Sequence, residues 1–201
     1  MATITQTIQP PAGPAVDRCP LYRMSIEQYE QLVDSGVFTK RDKFELINGL
    51  LVAKMTQNDP HSTADTLTGD ALRAVIPAGW HVRSDKPVRL PPRSKPEPDQ
   101  TVVRGAVRDY TTRSPGATDV GLVVQVADSS LARDRKRSRR FALHNVPVYW
   151  IINLRDRQVE VYTSPTAIGY NASQIYKPGD NVPVVLDGTV VGHIGVSDIL
   201  P

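Results

Sequence analysis

Residues 121–127, GLVVQVA, make an apolar run long enough for a central strand covered on both faces, and one amide, Gln125, interrupts it. A strand buried on both sides needs a layer above it and a layer below. The rest of the chain has to supply them. In MSIEQYEQLVDSGVF, Ser25 stands as an N-cap, Ile26, Tyr29, Leu32 and Val33 recur at helical spacing, and Gly36 is a stop. PHSTADTLTGDALRAVIP predicts a second helix from about His61 to Ile76, with Leu67, Ala71, Leu72 and Val75 along one side. Asp128, Ser129 and Ser130 supply helix-start chemistry for the basic segment that follows the apolar run.

Strand chemistry fills the intervals. KFELINGLLVAKM reads as a hairpin about Asn48-Gly49, whose residues accept the positive φ of a tight turn. WHVRSDKPVRL and PDQTVV follow, separated by the proline-rich PPRSKPEP. PVYWIINL and QVEVYTS pair about RDR, and VPVVLDGTVVGHI folds back at Asp187-Gly188. The order is helix, hairpin, helix, strands, helix, strands. It predicts an α+β (α/β-like) fold with a central mixed β-sheet flanked by helices, and excludes a bundle or an all-β barrel.

At 201 residues and 40% hydrophobic content there is material for one core, so residues 21–201 are expected to form a single domain behind a flexible arm at residues 1–20. The lone Cys19 allows neither an intrachain disulfide nor a Cys-based zinc site. No segment approaches the ~20 apolar residues of a membrane span, and the opening MATITQTIQPPAGPAV lacks a basic n-region. The expectation is a soluble, cytoplasmic protein with no membrane partner.

Net charge is only +3, but residues 133–140, RDRKRSRR, hold six basic residues against one acid. Such a run is most often a solvated helix face; on a nucleic-acid-binding protein it meets phosphates. At 100° per residue, Leu131, Asp134, Ser138, Phe141 and Ala142 share the stripe that should face the sheet. Lys136 and Arg140 lie roughly opposite, and Arg137 flanks the stripe.

Among the acids, Asp99 in EPDQTVV stands where a strand starts, a place that suits a turn residue and equally a carboxylate aimed at the end of a sheet. Gln125 is the second polar group, inside its apolar strand. Phosphodiester hydrolysis needs acids to hold a divalent cation and a positive group beside the phosphate.

In this order and spacing, FELINGLLV, PHSTADTLTGDAL, EPDQTVV, LVVQVADSS and NVPVYWIINL resemble the putative restriction endonuclease family of the Uma type, within the PD-(D/E)XK nuclease superfamily, from about residue 24 to residue 154. The resemblance implies a restriction-endonuclease-like core, DNA as substrate, Mg2+ or Mn2+ as cofactor, and metal ligation by Asp99, Glu45 and the residue at position 125. Glu45 and Asp99 fit the pattern. Gln125 stands where the family has Glu, and an amide oxygen can coordinate a cation but brings no charge.

The family's helix lysine falls on Ser138 by one count and on Arg137 by another, and neither is a lysine. Arg137 and Lys136 are the candidate stabilisers of phosphate charge, and Arg133, Lys136, Arg137 and Arg140 the candidate nucleic-acid contacts. Arg137 has too high a pKa to carry protons. His61 matches the helix-opening His of the family, although a local contact at the helix start suits it better than metal binding. Trp80 and Trp150 suit packing.

Two usual catalytic positions depart together. That pattern fits a divergent Mg-dependent endonuclease with an impaired site, or a catalytically inactive nucleic-acid-binding or regulatory protein on the same fold. A protein-interaction surface on the basic helix is the third reading. Nucleases that cut both strands commonly pair two sites, so a homodimer is the expectation by analogy.

Overall fold

Six strands build the main sheet of the computed structural model, which describes residues 20–38, 42–54 and 56–201. In chain order the elements are α1 (Ile26–Asp34), β1 (Phe44–Ile47), β2 (Leu50–Ala53), α2 (Asp59–Val75), β3 (Trp80–Ser84), β4 (Gln100–Arg104), β5 (Val120–Ala127), α3 (Leu131–Leu143), β6 (Val148–Asn153), β7 (Gln158–Thr166), β8 (Gly169–Tyr176), β9 (Asn181–Leu186) and β10 (Thr189–Gly195). The sheet runs β3-β4-β5-β6-β7-β8. Only β5 and β6 are parallel, because α3 carries the chain back between them; every other neighbour is antiparallel. The α+β, mixed-sheet expectation holds. The expected N-terminal arm and Cys19 lie outside the described residues, apart from Pro20.

β5 is buried along its whole length, as its composition requires. Strand alternation sends Leu122, Val124 and Val126 to the face covered by α2 and the β9–β10 hairpin, through Ala64, Leu72, Val182, Val184 and Ile194. Val123 and Ala127 go to the other face, with Phe141 of α3, Tyr149 and Ile151. Gln125 shares that second parity, so its amide points to the α3 side of the sheet.

Local chemistry sets the element ends. Ser25 and Gln28 form a reciprocal capping box on α1, and Ile26 and Tyr29 are its buried residues. Asn48 and Gly49 both have positive φ, 50° and 79°, the turn that β1 and β2 need. Gly49 has a second reason to be glycine: a Cβ there would stand 2.7 Å from the Arg23 Cβ.

α2 starts at Asp59 and not at His61, because the Asn58 side chain accepts the His61 N–H and Pro60 fits the first turn. Ser130 stands at the N-cap of α3 but makes no side-chain cap bond; its hydroxyl donates to Asp134 instead. Of WHVRSDKPVRL only residues 80–84 are strand, although Val88 and Leu90 are fully buried in the loop beyond. β8 has no counterpart among the strands expected from sequence. Its residues, GYNASQIY, are largely exposed at the sheet edge and show no apolar alternation.

Candidate functional site

Three polar side chains converge where β1, β5 and the start of β4 meet α3. Asp99 sits one residue before β4, beyond the end of the β4–β5 ladder, where the Val126 N–H has no strand partner. Its carboxylate fills that role, with Oδ2 accepting the Val126 N–H at 2.8 Å. Oδ1 faces Gln57 Nε2 at 3.5 Å and His61 Nε2 at 3.6 Å. Burial raises the Asp99 carboxyl to about 8, against the pull of the Val126 N–H and with help from the neighbouring carboxylates Asp65, Asp85 and Asp134. Burial also pushes His61 down. At neutral pH the facing pair is largely uncharged, a carboxylic acid beside a neutral imidazole.

Glu45 is held from β1. Its Oε2 accepts the Glu97 N–H at 3.0 Å, and its Oε1 accepts from Arg137 Nη2. Arg137 Nη1 donates to Gln125 Oε1 at 3.2 Å, while Gln125 Nε2 donates to the Val124 carbonyl at 3.3 Å. One guanidinium from α3 therefore bridges the first-hairpin acid and the strand amide. Glu45 is buried and Arg137 half-buried, with side-chain exposure of 3% and 13%.

These groups line a polar cavity of about 130 Å3, together with Lys54, His61 and, from α3, Arg133. Ser129 and Ser130, just ahead of α3, line it as well. The N-terminal end of that helix borders the opening, a setting that favours anions, and the carboxylates of Glu97, Asp128 and Asp134 line the same cavity.

Of the residues singled out from sequence, Asp99, Gln125, Glu45, Arg137 and Arg133 meet at this cavity. Lys136 does not: it is exposed and absent from the lining, in keeping with its helical spacing. Arg140 needs correcting. It is half-buried beside Arg137, Glu45 and Tyr149 instead of facing outward, and its Nε is buried with no hydrogen-bond partner among the described residues. The Pro91 loop, whose carbonyl meets His144 Nε2 at 2.7 Å, closes over this end of α3. Ser138 is buried and spends its hydroxyl on the Arg135 carbonyl at 2.7 Å, so Arg137 and not Ser138 is the helix position that reaches the site.

One residue of the site escapes sequence reasoning. Lys54, just past β2, lines the cavity with its ammonium 2.8 Å from Glu97 and 3.6 Å from Asp85. Burial would lower it, yet the bond to Glu97 and the nearby acids raise it overall. Its place after the strand residues LLVA is the only signal that sequence offers. His61 suits a local helix-start contact by sequence, and the side chain it faces is instead Asp99.

Does this donor set suit a divalent cation? Among the described residues no three His, Cys, Asp or Glu side chains come together in a way that could hold one. Gln125 Oε1 and Glu45 Oε1 are both turned to a guanidinium, which already supplies positive charge between them. The Asp99 carboxyl, raised to about 8 by burial, has one oxygen taken by the Val126 N–H. The arrangement does not fit a metal held by Asp99, Gln125 and Glu45.

A family model described as Uma2, putative restriction endonuclease, matches residues 26–190 of the chain. Among solved structures, a putative nuclease belonging to DUF820 from Anabaena variabilis ATCC 29413 is similar, with a TM-score of 0.70 and 15% sequence identity over 88% of this chain and 97% of that one. At that identity the likeness is one of fold. No curated protein matches the chain.

Proposed function

Because the chain belongs to the Uma2 family of putative restriction endonucleases, we propose that its cavity grips a nucleic-acid phosphate with Arg137 in place of a divalent ion, and that phosphodiester hydrolysis is weak or lost. Family and fold support a nuclease-like function. The finer reading is carried by one observation, the guanidinium that bridges Glu45 and Gln125. Restriction-endonuclease-like proteins generally use divalent metals. In this chain a fixed organic cation occupies the middle of the site.

Arginine suits the task of holding phosphate, since its planar fork presents five donors and keeps its charge. Only two of those N–H groups are engaged by Glu45 and Gln125, and the cavity is open to an oxyanion approaching along the N-terminal end of α3. Arg133, about half-exposed, borders the opening. Arg135 is committed to Glu160 by two hydrogen bonds, at 2.9 and 2.6 Å, and is removed from the binding set. Lys136 and Arg139 are exposed and extend the positive surface along the helix. Phosphate contacts of this kind bind duplex DNA without reading sequence. Two copies pairing across a duplex belong to the same reading, and sedimentation of the free protein and of its DNA complex measures that.

The test joins cleavage to binding. Supercoiled and linear DNA are incubated with Mg2+ or Mn2+, and DNA affinity is measured across a salt series without metal. The expected result is metal-independent binding with a steep salt dependence and little or no nicking. Replacing Arg133, Arg137 and Lys136 with Ala should reduce the log-log slope by roughly one unit for each phosphate that is no longer neutralised. Robust cleavage that requires Mg2+ would overturn the reading in favour of a competent metal-dependent endonuclease.

A further inference from the structure

A second cavity, of about 740 Å3, is lined by Arg83, Arg89, Lys95, Tyr110, Arg113 and Ser114, with the Thr111 and Thr112 hydroxyls beside them. Its cations are not equivalent. Arg89 is bonded to Glu27 and Glu30, Lys95 to Glu30, and Arg113 to Asp119. Arg83 has no carboxylate and no hydrogen-bond acceptor among the described residues; its guanidinium lies 5.5 Å from the centre of the Tyr110 ring, and Arg113 lies over the same ring at 4.8 Å. A half-buried charge without a counter-ion is costly to keep, and a bound anion removes that cost.

We propose that this cavity is an anion site for a phosphate ester, with the Arg83 guanidinium as its primary ligand. The hydroxyls of Thr112 and Ser114 have no protein partner among the described residues and are free to donate to the same oxyanion. Tyr110 fixes the Arg83 side chain, and its own hydroxyl is turned away, donating to the Arg104 carbonyl at 2.7 Å. Burial lowers the Arg83 guanidinium from its ordinary value, and Tyr110 alone offsets this in part. Asp34 is the one acid of the lining with no cation bonded to it among the described residues, and it is exposed, where water and salt screen its repulsion.

The placement of Arg83 points to nucleotide chemistry. It sits on β3 directly opposite Thr101 of β4, two residues along from Asp99. By strand geometry the Arg83 and Asp99 backbones are then roughly 8 Å apart, with Arg83 on the sheet face of Thr101 and Val123. A nucleic-acid strand that crosses this face can present phosphates to both places, and a free mononucleotide can fill the second alone. This inference does not depend on how the Arg137 cavity works.

The test compares wild type with Arg83→Gln and Arg83→Lys, using inorganic phosphate, a deoxymononucleotide and a single-stranded oligonucleotide as probes in calorimetry, with melting temperature followed in parallel. The expected result is that phosphate and the mononucleotide bind wild type and raise its melting temperature. Their affinity should fall by about tenfold or more in Arg83→Gln and less in Arg83→Lys, which keeps the charge but not the fork. Without ligand, Arg83→Gln should melt at the same temperature or higher, which a structural role for Arg83 would not allow. A parallel loss of oligonucleotide affinity assigns the site to a strand, and an unchanged oligonucleotide affinity assigns it to a free nucleotide. Equal binding of phosphate and mononucleotide by wild type and Arg83→Gln, or no binding by either, overturns the proposal.

Discussion

Arg137→Met separates the charge of the guanidinium from most of its apolar stem, and the structure sets the expected cost. Glu45 keeps the Glu97 N–H on one oxygen but loses the one cation bonded to it among the described residues, with 3% of its side chain exposed to water. Removing one partner of a buried ion pair costs about 3–5 kcal/mol. Gln125 loses a single neutral-acceptor bond, worth about 1 kcal/mol. We expect a loss of about 4–6 kcal/mol, which in a chain of 201 residues corresponds to a melting point lower by roughly 8–24 °C. Adding Glu45→Gln should restore about half or more of that, because an amide can still accept the Glu97 N–H without needing a counter-charge. Urea denaturation of wild type, both single variants and the double variant closes a thermodynamic cycle, in which a coupling of about 2–3 kcal/mol is expected. A single-variant cost under about 1 kcal/mol, or additive effects, would show that the guanidinium is not seated between Glu45 and Gln125.

The Asp99 carboxyl, raised to about 8, binds a proton in the folded chain that the unfolded chain releases near its ordinary value of 3.8, so its contribution is full below that value and lost as pH rises through about 8. Asp99→Asn should therefore gain on wild type by about 2–5 kcal/mol at pH 9 and not at pH 4, and parallel pH–melting curves would count against a buried, protonated Asp99. Gln125→Glu with Arg137→Lys rebuilds an acid pair with an amine, and Mg2+-dependent nicking by the double variant but not by wild type, followed on supercoiled DNA, is the expected result; nicking by both would contradict an impaired site. Glu160, lowered to about 2 despite burial by Arg135, Tyr162 and Asn153, contributes stability that is present above about 4.5 and lost as pH falls toward 2. Because Arg135 is 47% exposed, Arg135→Ala should cost only about 1–2 kcal/mol at pH 7 and nothing near pH 2, as chemical denaturation at the two pH values would show.

Much of the fold is legible in the sequence because periodicity and turn chemistry agree along most of the chain. The run around Gln125 has to be a central strand, and the stripe of Asp134, Ser138, Phe141 and Ala142 has to face it; both are buried as the spacing requires. β8 is illegible for the complementary reason: an exposed edge strand is specified by backbone pairing to β7, which leaves no apolar pattern to read. At the site, Glu45, Asp99 and Gln125 can be singled out by type and position. Contacts that depend on how layers stack cannot. Arg140 is solvent-facing on a helical wheel, but a wheel carries no information about the loop at residues 91–92 that closes over that end of α3. Arg83 carries no sequence signal, since its significance is the absence of an acid that only the folded neighbours reveal.

Gln125 and Arg137 make sense together as a balance of charge. An acid at position 125 would stand beside Asp99 and Glu45 in a cavity of about 130 Å3 that Glu97, Asp128 and Asp134 also line, a state that a divalent cation relieves. With Gln125 in that place and the Asp99 carboxyl raised by burial, the carboxylate nearest to position 125 is Glu45, and one guanidinium pairs with it. Changing only position 125 would leave too little negative charge to attract a metal, with no fixed cation to replace it. Changing only the helix position would set a guanidinium in competition with the metal for the same oxygens. Gln125 and Arg137 bond to each other, so each is the physical reason the other is tolerated. A site built this way holds its positive charge permanently, which favours gripping phosphate over activating water against it.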